Sequence, residues 1–238
     1  MIHQPPSLIP GLLPRKSLSE LQRSEMFSLL SRHFDGVSEA QFTRDLDEKN
    51  WVLEIRRDGR LVGFSSLLVR EVMIESEAVT GIYSGDTIVA PEAWNSPALA
   101  KLWIAAVNAL RGEAPQRRCY WLLLTSGFRT YRFLPVFWRE FFPRYDAQTP
   151  PEMQRKLDEL AANQYGAQYD RTSGLVRFPF PQRLHAVLAE PASGRRSDEH
   201  IAYFLARNPG HDHGDELACI TEICETNLTA AGHRMAGQ

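Results

Sequence analysis

The 238-residue sequence predicts an α/β (α+β) protein in which helices flank a mixed, mostly antiparallel central sheet. Three features point there. Two helical patterns precede three strand-length runs joined by tight polar turns, which is an antiparallel meander. Cys119-Tyr-Trp-Leu-Leu-Leu124 is apolar without interruption, as expected for a central strand buried on both faces. Between them, Gly81–Val89 reads as a strand, Ala90–Asn95 as a connection, and Ser96–Leu110 as a helix. A strand that feeds a helix N-terminus through a short loop leaves several backbone N–H groups aimed at one spot, an anion site.

The elements follow in order. Residues 1–16 hold four prolines and a glycine, so an irregular, partly ordered arm is expected. Ser17-Leu-Ser-Glu20 fits a capping box, and Leu18, Leu21, Met26, Phe27, Leu29 and Leu30 recur at helical spacing. His33-Phe-Asp-Gly36 links this helix to a second, capped by Ser38-Glu-Ala-Gln41 and carrying Phe42 and Leu46. Trp51–Ile55 is a strand, Asp58-Gly59 a hairpin turn that uses positive φ, and Leu61–Val72 a longer strand. Glu75-Ser-Glu77 turns into the strand Ala78–Val89. Ser96 as cap with Pro97 at the first helical position starts the next helix, and Gly112 and Pro115 close it. After Cys119–Leu124 the chain is helical from about Arg129, with Pro135 starting, kinking or interrupting the helix. Residues 143–172 read as a polar, proline-punctuated insertion with one helix at Glu152–Ala162. Leu175–Phe178 and Glu216–Ile223 are strands, Asp198 caps a short helix, and residues 229–238 are a tail expected to fray.

Composition narrows the function. A net charge of −2 argues against a nucleic-acid binder driven by phosphate contacts. Cys119 and Cys219 sit in apolar runs and read as reduced core residues of a cytoplasmic protein. The N-terminus has no signal-peptide pattern, and the apolar stretches are too short to span a bilayer. His211-Asp-His213, with Asp215 and Glu216, has metal-ligand residue types, but no Cys-x-x-Cys accompanies it. A structural or gating loop is the reading taken, with no metal. Ser126 beside Gly127 lacks a Gly-x-Ser-x-Gly elbow, which argues against a serine hydrolase.

The order of elements, with Asp86–Val89, the helix after it and the Cys119–Phe142 block, resembles the GNAT superfamily of acyl-CoA N-acyltransferases. Local phrases carry the same resemblance: His33-Phe-Asp-Gly36, Asp45-Leu-Asp-Glu-Lys49, Val62-Gly-Phe-Ser-Ser66, Ser84-Gly-Asp-Thr87 and Tyr131–Pro143. Asn208-Pro-Gly-His211 and Gly214-Asp-Glu-Leu217 resemble segments of GNAT-like acyltransferases of natural-product pathways. The resemblance covers residues 17–145 and extends over a single domain, 17–228. It implies a sheet with a V-shaped split between its fourth and fifth strands, with an acyl thioester lying in the V. The donor is then acyl-CoA or an acyl carrier protein. The acceptor is a primary amine of a small molecule, amino acid or peptide side chain, and the protein is a monomer or homodimer.

Site residues follow from that resemblance. Asp86 is the first candidate for the base and Glu54 the second, and Tyr131 is the candidate acid for the leaving thiolate. Thr87, Ile88 and Val89 face the thioester; Asn95, Ser96, Ala98 and Leu99 stand where phosphates are held; Ser126 and Arg129 complete the cofactor set. The sequence departs from the family in its phosphate loop. The usual Arg/Gln-x-x-Gly-x-Gly/Ala is replaced by Trp94-Asn-Ser-Pro-Ala-Leu99, so both glycine positions are filled and Pro97 removes a donor. A carrier-protein donor, which lacks the nucleotide, is one consequence, with Arg129, Arg132, Arg139 and Arg144 to meet an acidic partner; a solvated arginine face is the other reading of that cluster. Phe133–Trp138 suits a fatty acyl chain. The alternative to an enzyme is a degenerate fold that binds a ligand or partner without turnover.

Overall fold

The structure is a computed structural model, and it describes residues 9–112, 114–185 and 197–237. The first eight residues of the expected arm, and Gln238 of the tail, lie outside the described residues.

An eight-stranded sheet is assembled from β1 (Leu12–Pro14), β3 (Trp51–Arg57), β4 (Arg60–Ile74), β5 (Glu77–Val89), β6 (Cys119–Thr125), β10 (Glu216–Glu222), β8 (Leu175–Val176) and β7 (Tyr169–Asp170), in that spatial order. Every neighbouring pair is antiparallel except β5 and β6. The meander closes through two turns with positive φ, at Asp58 and Gly59 and at Glu75 and Ser76, which match the strand twist. A separate two-stranded ribbon pairs β2 (Phe34–Asp35) with β9 (Arg183–Leu184).

Helices cover both faces. One face carries α3 (Ala98–Gly112), the short α4 (Phe128–Tyr131) and α5 (Phe133–Phe137), α7 (Glu199–Arg207) and α8 (Ala230–Ala236). Their core joins Trp103, Ile104, Val107, Phe128, Leu134 and Phe204 to Leu53, Leu67, Ile82, Trp121 and Cys219 of the sheet. The opposite face holds two separate cores. One sits under α6 (Pro151–Tyr165), built on Leu157, Leu160, Tyr83, Tyr120 and Leu122. The other sits under α1 (Glu20–Ser31) and α2 (Glu39–Asp47), built on Met26, Leu30, Phe42, Phe64 and Ile88. These two cores form separate clusters with a polar gap between them.

Several expectations are corrected. Part of the expected arm is ordered: Leu12–Pro14 is an edge strand, because Leu12 and Leu13 pair with Leu53 and Val52. Proline is tolerated there because an edge strand has one unpaired side. The first capping box belongs to Ser19 and Gln22, not Ser17 and Glu20; Ser17 instead donates to the Pro14 carbonyl at 2.7 Å. The Ser38 cap is as expected, accepting from the Gln41 N–H. The tail does not simply fray: Thr229 caps α8, whose Met235 and Ala236 pack on the α3 core. The helix after β6 breaks at Arg132, three residues before Pro135.

Candidate active site

The centre of the sheet opens. The β5–β6 ladder runs from Thr80–Cys119 to Tyr83–Leu122 and stops. Beyond it, β5 stays with β4, while Leu123–Thr125 stay with β10. The split is set by a bulge. Leu67 pairs with Ser84 and Ser65 with Thr87, so Gly85 and Asp86 together face Ser66. Gly85 leaves room here for its neighbours: a Cβ would stand 2.5 Å from both the Lys49 Cε and the Ser66 Oγ, so those side chains would have to move. From Ser84 onward no strand among the described residues pairs with this edge of β5, so its backbone groups are available to an extended ligand.

A cavity of about 710 Å³ fills the opening on the α3 face. Ser84, Thr87, Ile88 and Val89 line it from β5, and Trp121 and Leu123 from β6. Its walls are aromatic: Trp103 and Trp121 pack with their ring centres 4.1 Å apart and their planes tilted by 41°, and Phe133 meets both edge-on at 6.0 and 6.1 Å. Phe34 and Leu184, from the ribbon against α1, also line it, so it is lined from both sides of the sheet. A second, shallower depression of about 490 Å³ lies at Arg144–Thr149, away from the split, where Arg144 and Asp146 are already ion-paired.

The mouth of the cavity is the Asn95–Ala100 turn. The Ala98 N–H donates to the Ser96 Oγ at 3.2 Å, and the Lys101 N–H to the Pro97 carbonyl at 2.9 Å. The Ser96 hydroxyl therefore caps the start of α3, as expected from the sequence, while Pro97 stands just before its first residue, Ala98, and accepts its first helical hydrogen bond. The cost falls on anion binding. Pro97 has no N–H and the Ala98 N–H serves the cap, which leaves Leu99 and Ala100 as the free donors of the first turn. Trp94 crosses this turn, donating its indole N–H to the Val89 carbonyl at 2.8 Å, with the Arg129 guanidinium 4.3 Å over its ring.

The polar gap on the opposite face holds two carboxyls. Asp86 comes from the bulge; Glu216 opens β10, one residue before the Leu217–Thr125 pair. Burial, then repulsion from Asp45, pushes Asp86 up to about 6, against the opposing pull of Lys49 and a hydrogen bond from Gln182. Burial and the Asp86 charge push Glu216 up to about 8. Both carboxyls are thus held above the usual carboxylate range, Glu216 further than Asp86. Lys49 stays beside Asp86 because its ammonium donates to the Asp45 carbonyl at 2.8 Å. In the sequence Glu216 stands out only as a metal-ligand residue type beside His211 and His213, not as a neighbour of Asp86. Its signal was faint, one acid at the start of an alternating strand; only strand order brings it to Asp86.

Other expected residues fall elsewhere. Tyr131 is fully buried, and its hydroxyl donates to the Pro143 carbonyl at 2.9 Å, so it is a core residue rather than an acid facing the cavity. Burial also pushes its hydroxyl far up. Glu54 is buried on β3, two strands from the split, and accepts from Arg56 at 3.0 Å and Gln22 at 3.2 Å. It braces α1 and carries no catalytic geometry. Thr87, Ile88, Val89, Asn95, Ser96, Leu99 and Arg129 line the cavity, whereas Ala98 and Ser126 do not. The arginine cluster divides. Arg129 and Arg132 line the cavity, Arg132 also pairing with Asp198 at 3.0 Å, but Arg139 donates to the Leu228 carbonyl and Arg144 to that of Arg139. His211–His213 form one exposed-side 3₁₀ turn, with His213 on Asp212 at 2.7 Å. Among the described residues, no group of three or more metal-ligand side chains stands together. Likewise, no helix among them is long and apolar enough to cross a membrane.

No family model matches the sequence, and no curated protein matches it. Solved structures of similar shape include a protein from Enterococcus faecalis V583 described as a probable N-acyltransferase. It is 14% identical over 55% of this chain and 32% of its own, with a TM-score of 0.41. This chain thus spans about a third of that protein's length. A GNAT family N-acetyltransferase from Escherichia coli, solved with CoA, is 16% identical over 57% of this chain and 72% of its own, at 0.39. A GNAT family acetyltransferase from Brucella melitensis, solved with acetyl-CoA, is 16% identical over 46% and 73%, at 0.34. These likenesses are partial, and the site stands on its own geometry.

Proposed function

We propose that the protein is a GNAT-type N-acyltransferase that moves an acyl group from a pantetheine thioester to a primary amine. The observation that carries this is the β5 edge left unpaired among the described residues, with the cavity at the split and two burial-raised carboxyls, Asp86 and Glu216, beside it. Pantetheine carries amides spaced along an extended chain and complements a free strand edge. Its thioester then lies beside Ser84–Val89. The acceptor amine approaches from the polar gap, and the ionised Asp86 takes its proton. The acyl group is a medium or long chain, because the Trp103, Trp121 and Phe133 walls offer apolar surface that an acetyl group does not use.

The donor is acyl-CoA or an acyl carrier protein. The donor-poor first turn of α3 favours the carrier protein, with Arg129 and Arg132 at the cavity to meet it. The acceptor is a small molecule, an amino acid or a peptide side chain, and the reaction takes place in the cytoplasm. The test is thiol release over a panel of acyl-CoA and acyl-carrier thioesters with primary amines. Amine-dependent release supports the proposal; no thiol release and no binding with any donor removes it. Binding of donors without release under any amine supports the second reading, a ligand-binding fold without turnover, which the loss of the Tyr131 acid favours.

A further inference from the structure

We propose that the Ser84 hydroxyl is a catalytic hydrogen-bond donor at the apex of the split, held in place by Trp121. This rests on the acyl-transfer reading above and adds to it the group that meets the charge developing on the thioester. Ser84 is the first β5 residue beyond the last rung of the parallel ladder, Tyr83–Leu122. Its side chain lines the cavity. The Trp121 indole N–H crosses from β6 and donates to the Ser84 Oγ at 3.1 Å. An indole N–H only donates, so the serine oxygen must accept, and its own proton is turned elsewhere. Among the described residues no acceptor takes that proton. It is a donor left over at the one point where the two strands part.

Trp121 is itself fixed. It is 3% exposed and packs against Trp103 at 4.1 Å, Trp138 at 5.2 Å and Phe133 at 6.1 Å. Such a packed ring costs little further ordering when the donor binds, which is what preorganised stabilisation requires. Trp121 is a positioning residue; Ser84 touches the reacting atoms. Tyr131, the acid expected from the sequence, is committed to the Pro143 carbonyl, so the leaving thiolate is left to solvent and Ser84 serves the carbonyl oxygen alone.

The lone pair of the neutral amine forms the new C–N bond, and the C=O π pair moves onto oxygen, where the Ser84 hydroxyl donates to it. The amine proton passes to the Asp86 carboxylate. Collapse restores C=O and breaks C–S, and the leaving thiolate takes back one proton through solvent. The products are an amide and a free thiol, and Ser84 keeps its proton throughout.

The test is an isotope-edited infrared spectrum of S-[1-¹³C]octanoyl-pantetheine bound to wild type, Ser84→Ala and Trp121→Phe. The hydrogen bond is expected to lower the carbonyl band in wild type. Ser84→Ala should return it toward its value in water-free solvent, and Trp121→Phe should broaden it. With n-butylamine as acceptor, Ser84→Ala should lower kcat by about 10²–10³-fold, the loss seen when one oxyanion donor is removed, with donor KM within about twofold. The Ser84→Ala/Trp121→Phe pair should be no slower than Ser84→Ala alone. Bound donor with the same band and the same kcat in Ser84→Ala overturns the inference while leaving the acyltransferase reading intact. Failure of the wild type to bind the thioester overturns both.

Discussion

Replacing Glu216 by Gln should make the protein more stable in alkali and leave it nearly unchanged in acid. Glu216 is raised from 4.5 to about 8 by burial and by the Asp86 charge. A carboxyl raised on folding favours the folded state while protonated, below its unfolded value near 4.5. That advantage is lost as pH climbs through 8, where the folded protein must hold a charge in the gap. Taken in full, 4.5 to 8 at about 1.4 kcal/mol per pH unit is roughly 5 kcal/mol. Glu216 is only half-buried, so screening reduces this to on the order of 2 kcal/mol. The assay is urea unfolding of both proteins at intervals from pH 4 to 9. The difference in unfolding free energy should change by about 2 kcal/mol in favour of the Gln variant across pH 5–9. A difference that stays flat over that range means that Glu216 titrates normally, and the paired-carboxyl account of the gap fails.

Other expectations follow from the same geometry. In wild type, thiol release should fall as pH drops through about 6, where Asp86 takes a proton; Asp86→Asn should lose this limb along with about 10²-fold or more of the rate. A limb that survives in Asp86→Asn assigns the base elsewhere. Tyr131→Phe should cost about 1–2 kcal/mol, since the buried Pro143 carbonyl loses its donor, and leave kcat unchanged; loss of kcat with full stability would restore Tyr131 as the acid. Pro97→Gly adds an N–H just before α3, and should tighten CoA binding several-fold in calorimetry while lowering the melting temperature slightly. Unchanged CoA affinity would show that the turn does not contact phosphate. Asn227 joins the Glu140, Thr221 and Glu222 backbone or side chains through its amide and accepts from the Glu140 N–H, so Asn227→Ala should cost about 2–3 kcal/mol by chemical denaturation.

Local signals were readable where one residue type answers one local need. Ser38 before Gln41, Asp58-Gly59, Ser96 and Asp198 each do what their chemistry suggests. The uninterrupted Cys119–Leu124 run is the parallel central strand. What the sequence hid depends on distant partners. Leu12–Pro14 looks like loop because three residues are too few for a periodicity, and only pairing with Trp51–Leu53 makes a strand of it. Ser17 and Ser19 offer equally good caps two residues apart, and the side-chain reach of Gln22 chooses between them. Tyr131 looked available because a helix periodicity does not say which face meets Pro143. Glu54 looked like a second base, yet the neighbouring Arg56 and the distant Gln22 hold it. Glu216 pairs with Asp86 across a strand order that places β10 beside β6, and nothing local to Glu216 reports that.

The central claim is that the free β5 edge seats the pantetheine common to both kinds of donor. Amide hydrogen exchange with and without saturating S-octanoyl-pantetheine tests it most directly. Slowed exchange confined to Ser84–Val89 and Leu123–Thr125, with Trp51–Arg57 unchanged, is the result this geometry predicts. Bound thioester with no added protection at Ser84–Val89 would contradict it.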